Sequence, residues 1–502
     1  MCLVNGMAYI LVVLGILIAK GLGFFRDIVF ASVFGASAYT DMYFQIFGLV
    51  NLIFTGIGVA LSTLVIKNLN KAEHSSELSK RGYVSHFIRK TTLVSVIAAT
   101  CMAILARPIV NILLPGLDSA NTMLAVKLMY IMLPSFVFVI IAYIISGVLQ
   151  NNKVFFISSI MSLPFNVVII ASLFVKNIDI ITVSIVTTIG WLLHIVIQLP
   201  SFYKKGYRLF SSPYEKTNKE KSGKSELLWI FISNMMFQLC FMIDKAFVSS
   251  ESGAASTINY ASNLFVTIAS VFVVAMSNVV FPSISRNYEE GNREYVKSLL
   301  QYMLTVMFAI FVPFILVASC FGNNLIALLY ERGSFTSELT GVTATLFAIY
   351  TLGVFGYACQ ELFNKILYLD SKYAYTVIGT VAVVVLKIAL NFILAPYGAV
   401  AIAIGTTALF IAYAVNIALA IIKVTGNYFD RKFVKNIVKI LVSSVAAFIV
   451  FVGCRWLLPG LFIGKAGFIV PLGLCGIVYL VVLFATGIAK YIIKGRNADN
   501  PQ

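Results

Sequence analysis

Charge is what this chain has least of. Only 11% of its 502 residues are Asp, Glu, Lys or Arg, while 60% are hydrophobic, well above the roughly 45–50% apolar share of soluble domains. That balance excludes a soluble fold of this length. Histidine is nearly missing too: His74, His86 and His194 are the full set, and none sits in an HExxH zinc helix. No serine occupies a GxSxG elbow. The nearest thing to a phosphate-cradling loop is Gly223-Lys224-Ser225, but the loop's first glycine would fall at Asn218 and no strand precedes it. The seven cysteines, at 2, 101, 240, 320, 359, 454 and 475, are scattered and form no CxxC, disulfide framework or metal cluster. Soluble-type hydrolysis and ATP-driven transport thus find no support, and the chain is expected to act without covalent catalysis, cofactor or metal.

What is present is apolar length. A spanning helix needs about 20 mostly apolar residues. About fourteen such stretches occur, near 7–25, 41–66, 91–114, 124–149, 154–175, 180–203, 227–249, 257–284, 298–321, 339–364, 373–395, 398–422, 436–458 and 467–491. The expected fold class is therefore an all-α polytopic membrane protein. The first stretch lacks a basic n-region and carries polar residues, so it reads as a retained helix rather than a cleaved signal. Most of the 37 Lys and Arg fall in alternate loops and the C-terminal tail, which places both termini in the cytoplasm by the positive-inside rule. The net charge of +17 includes the loop Lys204 to Glu226, with Lys204, Lys205, Arg208, Lys216, Lys219, Lys221 and Lys224. In this setting it reads as an orientation signal beside anionic lipid, and no nucleic-acid partner is expected.

Two parts of the chain echo each other about 215 to 218 residues apart. Gly35-Ala36 answers Gly253-Ala254, and Val59-Ala60-Leu61-Ser62 answers Val274-Ala275-Met276-Ser277, each copy then entering a polar stretch. Six spans separate the copies, an even number, so the repeats are parallel. The organisation expected is a lobe over 1–205, a basic cytoplasmic loop over 206–226, a second lobe over 227–425, and two further helices with a cytoplasmic tail over 426–502. Two six-helix lobes rocking about a central site would give alternating access.

Ionised side chains inside spans are costly and usually face a cavity or each other. Lys20, Arg26 and Asp27 surround Gly21 and Gly23 in the first span. Helical geometry puts Lys20 and Asp27 on one face with Arg26 about 120° away. Two readings stay open: the charges snorkel to the interface, or they wall a polar cavity for an anionic ligand. Glu361 and Lys365, one turn apart in the favourable order, read as an internal pair. Trp229 and Trp456 lie where interfacial anchors belong, and Lys432, Lys435 and Lys439 read as a cytoplasmic anchor.

Several segments carry a resemblance. Gly21-Leu22-Gly23-Phe24-Phe25-Arg26-Asp27, then Phe34-Gly35-Ala36 and Thr40-Asp41-Met42-Tyr43-Phe44, resemble the opening of the MurJ (MviN) lipid II flippases of the MOP exporter superfamily. Leu114-Pro115-Gly116, Phe281-Pro282-Ser283-Ile284-Ser285-Arg286 and Tyr330-Glu331-Arg332-Gly333-Ser334-Phe335-Thr336 resemble that family's later loops, in order. The resemblance implies a MATE/MOP-like fold in a bacterial inner or plasma membrane. It also implies movement of an undecaprenyl-diphosphate-linked peptidoglycan precursor to the outer leaflet, with the lipid-linked sugar diphosphate and membrane lipids as partners. A monomer is expected, with association with cell-wall synthesis enzymes as a further expectation, and the last two helices would form a groove for the lipid tail.

By the same resemblance Lys20 and Arg26 take two cavity-arginine positions, with Asp27 and Asp41 as acidic partners. The chain departs from the pattern at two others, reading Val50-Asn51-Leu52-Ile53-Phe54-Thr55 where an arginine follows in the family, and Asn263 on the eighth span. Fewer cations leave room for a different polyprenyl-linked surface-polysaccharide precursor as cargo. A drug or cation antiporter of MATE type is a weaker rival, since a positive cavity repels cations. A membrane-embedded glycosyltransferase would need an outside loop rich in carboxylates and arginines, and those loops are short and poor in both. The family's sodium ligands align with Asp244, Lys387, Asn391 and Thr407. Lysine brings a cation and no acceptor, so the Lys387 ammonium is expected to replace sodium by pairing with Asp244.

Overall fold

A computed structural model describes residues 2–71, 77–210, 229, 231–233, 235–369, 372–427, 429–462 and 465–494. Among them every regular element is helical, as the lipid-exposed backbone of a spanning chain requires when no water is available to satisfy it. The chain divides into two compact units, Met1–Asn259 and Tyr260–Gln502, a different cut from the expected lobe boundaries. Most of the basic loop lies outside the described residues.

The first unit begins with α1 (Cys2–Phe34), α2 (Ala38–Ile53), a π-helical turn (Phe54–Gly58), α3 (Val59–Lys71) and α4 (Glu77–Ile104). It continues with α5 (Ala106–Leu113), α6 (Ser119–Met132), α7 (Pro134–Asn151), α8 (Phe155–Ser159), α9 (Leu163–Leu173), α10 (Ile180–Val196), α11 (Leu199–Lys204) and α12 (Met236–Phe247). Proline explains several breaks. Pro134, Pro164 and Pro200 each stand in the first turn of a helix, where a missing N–H costs nothing. The core of this unit packs Val65, Leu69, Val84, Ile88, Ile144, Val148 and Phe202.

α13 (Ala254–Glu289) begins in the first unit and continues into the second, which also holds α14 (Arg293–Tyr330), α15 (Ser337–Leu352), α16 (Val354–Leu369), α17 (Tyr373–Leu394), α18 (Gly398–Thr425), α19 (Arg431–Leu457), α20 (Ile469–Ala485) and α21 (Ile488–Lys494). A cluster including Phe321, Ile440, Ala447, Phe468 and Tyr479 joins α14, α19 and α20, and Tyr479 donates its hydroxyl to the Ala309 carbonyl at 2.7 Å.

Nine segments among the described residues are long and apolar enough to cross a bilayer, or ten with the bent pair Ser337–Leu352 and Val354–Leu369. The shortfall from fourteen has identifiable sources. Ala374–Lys423 counts once but runs over two expected spans, and Ile469–Ala485 is apolar but short. Large apolar side chains face outward, with Trp456 81% and Ile104 77% exposed, as befits a chain whose solvent is lipid.

Helices start where the sequence offers caps. Asp118, Asp179 and Asp430 each accept from the backbone N–H three residues on, satisfying a donor that the helix cannot. Hydrogen bonds from the Thr182 side chain and backbone hold the Asp179 carboxyl below the usual carboxylate range. Burial pushes Asp430 the other way, but the Phe433 N–H and the Gln301 side chain outweigh it, and its carboxyl also sits low.

Candidate functional site

Arg26 lies in a built pocket of the first unit. Its Nε and Nη2 donate to Asp27 Oδ1 at 3.0 and 2.7 Å, and Nη1 donates to Asn166 Oδ1 at 3.2 Å. The Asn166 amide is itself held, donating to the Ser162 carbonyl at 3.0 Å. The guanidinium carbon stands 5.5 Å from the ring centroids of both Phe47 and Phe165, a cation–π clamp of about 0.5–2 kcal/mol per ring depending on desolvation. Trp191 backs both rings, at 6.3 Å from Phe47 and 4.6 Å from Phe165. The side chains of Arg26 and Asp27 are only 14% and 10% exposed, so the ion pair is largely desolvated and the guanidinium is held in place by its neighbours. Although ideal geometry sends positions 26 and 27 in different directions, the long arginine side chain folds back to reach its neighbour. Lys20 is half-buried on the same helix.

Asp41 makes a different set of contacts. It is buried and accepts from Gly253 N at 2.7 Å, Ser256 N at 2.6 Å and Ser256 Oγ at 2.5 Å. Thr40 Oγ1 also meets Ser256 Oγ at 2.6 Å, and Ala38 N donates to Ser252 Oγ at 3.0 Å. The carboxylate thus satisfies first-turn donors of α13 and sits at the positive end of that helix, tying it to the start of α2. Gly253 allows the approach: with φ +86, its missing Cβ would stand 2.9 Å from the Ala36 carbonyl oxygen. Its repeat counterpart Gly35 also has positive φ, +59, a conformation glycine adopts without penalty.

Beside this tie lies Lys245, buried, with Nζ 3.4 Å from both the Phe44 carbonyl and Asn259 Oδ1. Gln45 Nε2 donates to the carbonyls of Leu113 and Met242 at 2.8 and 3.0 Å, and Gly116 N donates to Ser249 Oγ at 3.0 Å. A polar seam therefore runs from the start of α2 to residues 242–259. Sequence reasoning named Asp244, which is fully buried, but passed over its neighbour Lys245. An ionisable residue inside an apolar stretch was the available signal. Asn166 and the aromatic clamp gave none beyond ordinary apolar composition.

In the second unit Asn263 lies half-buried on α13. Lys387, Asn391 and Thr407 are buried. The Lys387 ammonium donates to Asn391 Oδ1 at 2.6 Å and to the Ile402 carbonyl at 3.3 Å, while Thr407 donates to the Ile349 carbonyl at 3.0 Å. Lys387 offers no lone pair and its ammonium already engages Asn391 Oδ1, so this pair does not fit a sodium ion. Glu361 and Lys365 close to 3.8 Å. The side chains of residues 53–55, including Thr55, lie outside the described ones.

The fold is one that solved lipid flippase and MATE transporter structures share. It superposes on a solved lipid II flippase MurJ in an inward closed conformation with a TM-score of 0.76, 23% identity, and coverage of 96% of this chain and 99% of that one. A multidrug resistance MATE family transporter of the MOP superfamily, inward-facing, superposes at 0.61 with 15% identity, covering 81% and 94%. Within that class the sequence is specific: the family model described as "Lipid II flippase MurJ" matches residues 30–491, and the chain belongs to the MurJ family. A probable lipid II flippase MurJ of Buchnera aphidicola subsp. Schizaphis graminum is 27% identical over 375 residues, 69% of this chain and 71% of that protein. The lipid II flippase MurJ of Burkholderia cenocepacia is 25% identical over 358 residues, 68% of each chain. A probable lipid II flippase MurJ of Rhizobium tropici is 22% identical over 495 residues, 94% of this chain and 91% of that protein.

Proposed function

We propose that this protein moves lipid II from the inner to the outer leaflet of a bacterial plasma membrane by alternating access, receiving the diphosphate at Lys20 and Arg26. Family membership over residues 30–491 supports the cargo. The observation that carries the site is the clamped guanidinium: Arg26 is fixed by Asp27, Asn166 and two aromatic rings before cargo arrives. A preset fork spends little entropy on gripping phosphate. Asp27 offsets the arginine's charge while the site is empty and keeps its fork aimed. A diphosphate then exchanges water for the guanidinium and the Lys20 ammonium as it enters a region of low dielectric.

The cycle moves cargo without making or breaking covalent bonds, needs no cofactor, and is carried out by a monomer with both termini in the cytoplasm. Association with cell-wall synthesis enzymes would place the flippase beside its source of cargo. Asn263 takes the place of one cavity cation and Lys387 the place of a coupling ion. With its ammonium already on Asn391 and Ile402 oxygens, and Asp244 as its proposed counter-charge, transport runs without sodium.

A second reading, another polyprenyl-diphosphate oligosaccharide as cargo, rests only on the stretch Val50-Asn51-Leu52-Ile53-Phe54-Thr55 and on Asn263, where the family resemblance would lead one to expect arginines. Reconstitution separates the two. Purified protein in vesicles should move labelled lipid II into reach of a probe that cannot cross the membrane, and Arg26→Ala should abolish that movement. Flipping of a different polyprenyl-linked glycan and not of lipid II would install the second reading.

A further inference from the structure

A cavity of about 390 Å³ opens in the first unit, away from Arg26 and Asp41. Its cause is a divergence of helices. α3 and α4 each pack on α7, but among the described residues they scarcely pack on each other. Asn68 Nδ2 donates to the Tyr83 hydroxyl at 2.7 Å and joins them at one end. From that bond outward the two helices leave a groove floored by Phe136 and Ile140 of α7.

The groove is two-sided in its chemistry. Near the Asn68–Tyr83 bond it is lined by His86 and Lys90 of α4, one and two turns beyond Tyr83 and therefore within about 10 Å of it along the axis. Farther on the lining is mainly apolar, with Thr91 and Ser95 as its polar members: Leu61 and Leu64 come from α3, Ile57 from the π-helical turn before it, and Val94, Ala98 and Met102 from α4. No carboxylate is among its lining residues. The cavity also reaches the bilayer-facing surface. Lys90 and Ala98 are exposed while Ile140, on its floor, is 7% exposed, and the flank beside it presents Leu93, Ile97 and Ile104 outward.

We infer that this groove is a binding site for one anionic phospholipid of the surrounding membrane, its phosphate at Lys90, His86 and Tyr83 and an acyl chain along Val94, Ala98 and Leu61. The occupant follows from charge complementarity and surroundings. A void inside a bilayer is filled by whatever reaches it, and acyl chains lie alongside its mouth. Lipid tails are as apolar as the groove itself, so the chain end supplies little preference. Selection falls to the polar end, where a lysine with a flexible stem can bring its ammonium to the phosphate level. Bound there, the lipid acts as a packing element between two helices that otherwise diverge.

The test uses the full chain in detergent, titrated with phosphatidylglycerol or phosphatidylcholine and read by native mass spectrometry. The unmodified protein should retain one phosphatidylglycerol at about fivefold lower lipid concentration than phosphatidylcholine, whose phosphate is the same but whose choline cancels its charge, the effect expected of one lysine beside an anionic headgroup. Lys90→Glu should remove that preference. Ala98→Trp, at an exposed position lining the apolar shaft, should lower retention of both lipids, and Lys176→Glu, outside the cavity, should change nothing. Equal retention of the two lipids by the unmodified protein overturns the assignment, whatever the variants do. So does a preference that survives Lys90→Glu, or displacement of phosphatidylglycerol by a lipid-linked sugar diphosphate with the same dependence on Lys90, which would assign the groove to the cargo path.

Discussion

Replacing Asp41 with Asn should loosen the start of α13 by an amount the hydrogen bonds set. The carboxylate accepts three bonds, from Gly253 N, Ser256 N and Ser256 Oγ. An amide keeps one acceptor oxygen and turns an NH₂ toward a donor, so at least one charge-assisted bond is lost. Such a bond is worth about 1.5–3 kcal/mol, and the lost attraction of a negative charge for the helix N-terminus adds about 0.3–1 kcal/mol. Local opening that frees the Gly253 and Ser256 amides should then become more frequent by at least about tenfold. Hydrogen exchange followed by mass spectrometry on peptides spanning 250–258 reads this directly. Ser256→Ala, which deletes one hydroxyl bond, should raise exchange less than Asp41→Asn does. Unchanged exchange in Asp41→Asn, with the rest of the protein equally protected, would show that the tie does not hold the helix start. If α2 and α13 part during transport, the same substitution shifts the balance toward the parted state.

Other outcomes follow from the site. Arg26→Lys keeps the charge but cannot bond Asp27 twice and Asn166 once, so flipping in vesicles should fall at least about tenfold, the loss of one charge-assisted hydrogen bond; full activity would show that the fork is dispensable. Lys387→Met takes a buried donor from Asn391 Oδ1, at about 1–3 kcal/mol, while the Ile402 carbonyl keeps its bond from Thr406 Oγ1; it should lower the thermal midpoint, while adding sodium to the unmodified protein should leave its flipping rate unchanged. Asp179 and Asp430 have depressed carboxyl pKa values, so their stabilisation is present above the unfolded carboxylate value of about 3.9 and is lost as pH falls through the folded values. Thermal midpoints measured between pH 5 and 3 should decline less steeply in the double variant Asp179→Asn, Asp430→Asn than in the unmodified chain. An identical decline would mean that these caps do not contribute.

The spanning architecture was legible because a bilayer writes itself into sequence as long apolar runs, and the described helices fall where those runs lie. Less visible was how runs break. Pro134, Pro164 and Pro200 split expected spans into helix pairs, and Phe54–Gly58 forms a π-helical turn that no composition signal marks. Arg26 and Asp27 stood out as charges where charge is costly, but the groups that hold them did not. Phe47, Phe165 and Trp191 look like any aromatic in an apolar span, and whether they face lipid or a guanidinium is decided by packing. Asp41 was singled out as an acidic partner of Lys20 and Arg26. Its observed partners lie 212 and 215 residues along the chain, beyond any local pattern. Lys245 could have been found by the rule that singled out Lys20, Arg26 and Asp27, since it too is an ionisable group in an apolar stretch, whereas its neighbour Asp244 entered only through the family resemblance.

The central claim, that this protein flips lipid II through Arg26, is tested most directly in a bacterial host depleted of its own lipid II flippase. The chain would be expressed with and without Arg26→Ala at matched membrane levels, and lipid II reaching the outer leaflet measured. The unmodified chain should restore outer-leaflet lipid II, and Arg26→Ala should not. A well-inserted unmodified protein that restores none, or an Arg26→Ala variant that restores as much, would contradict it.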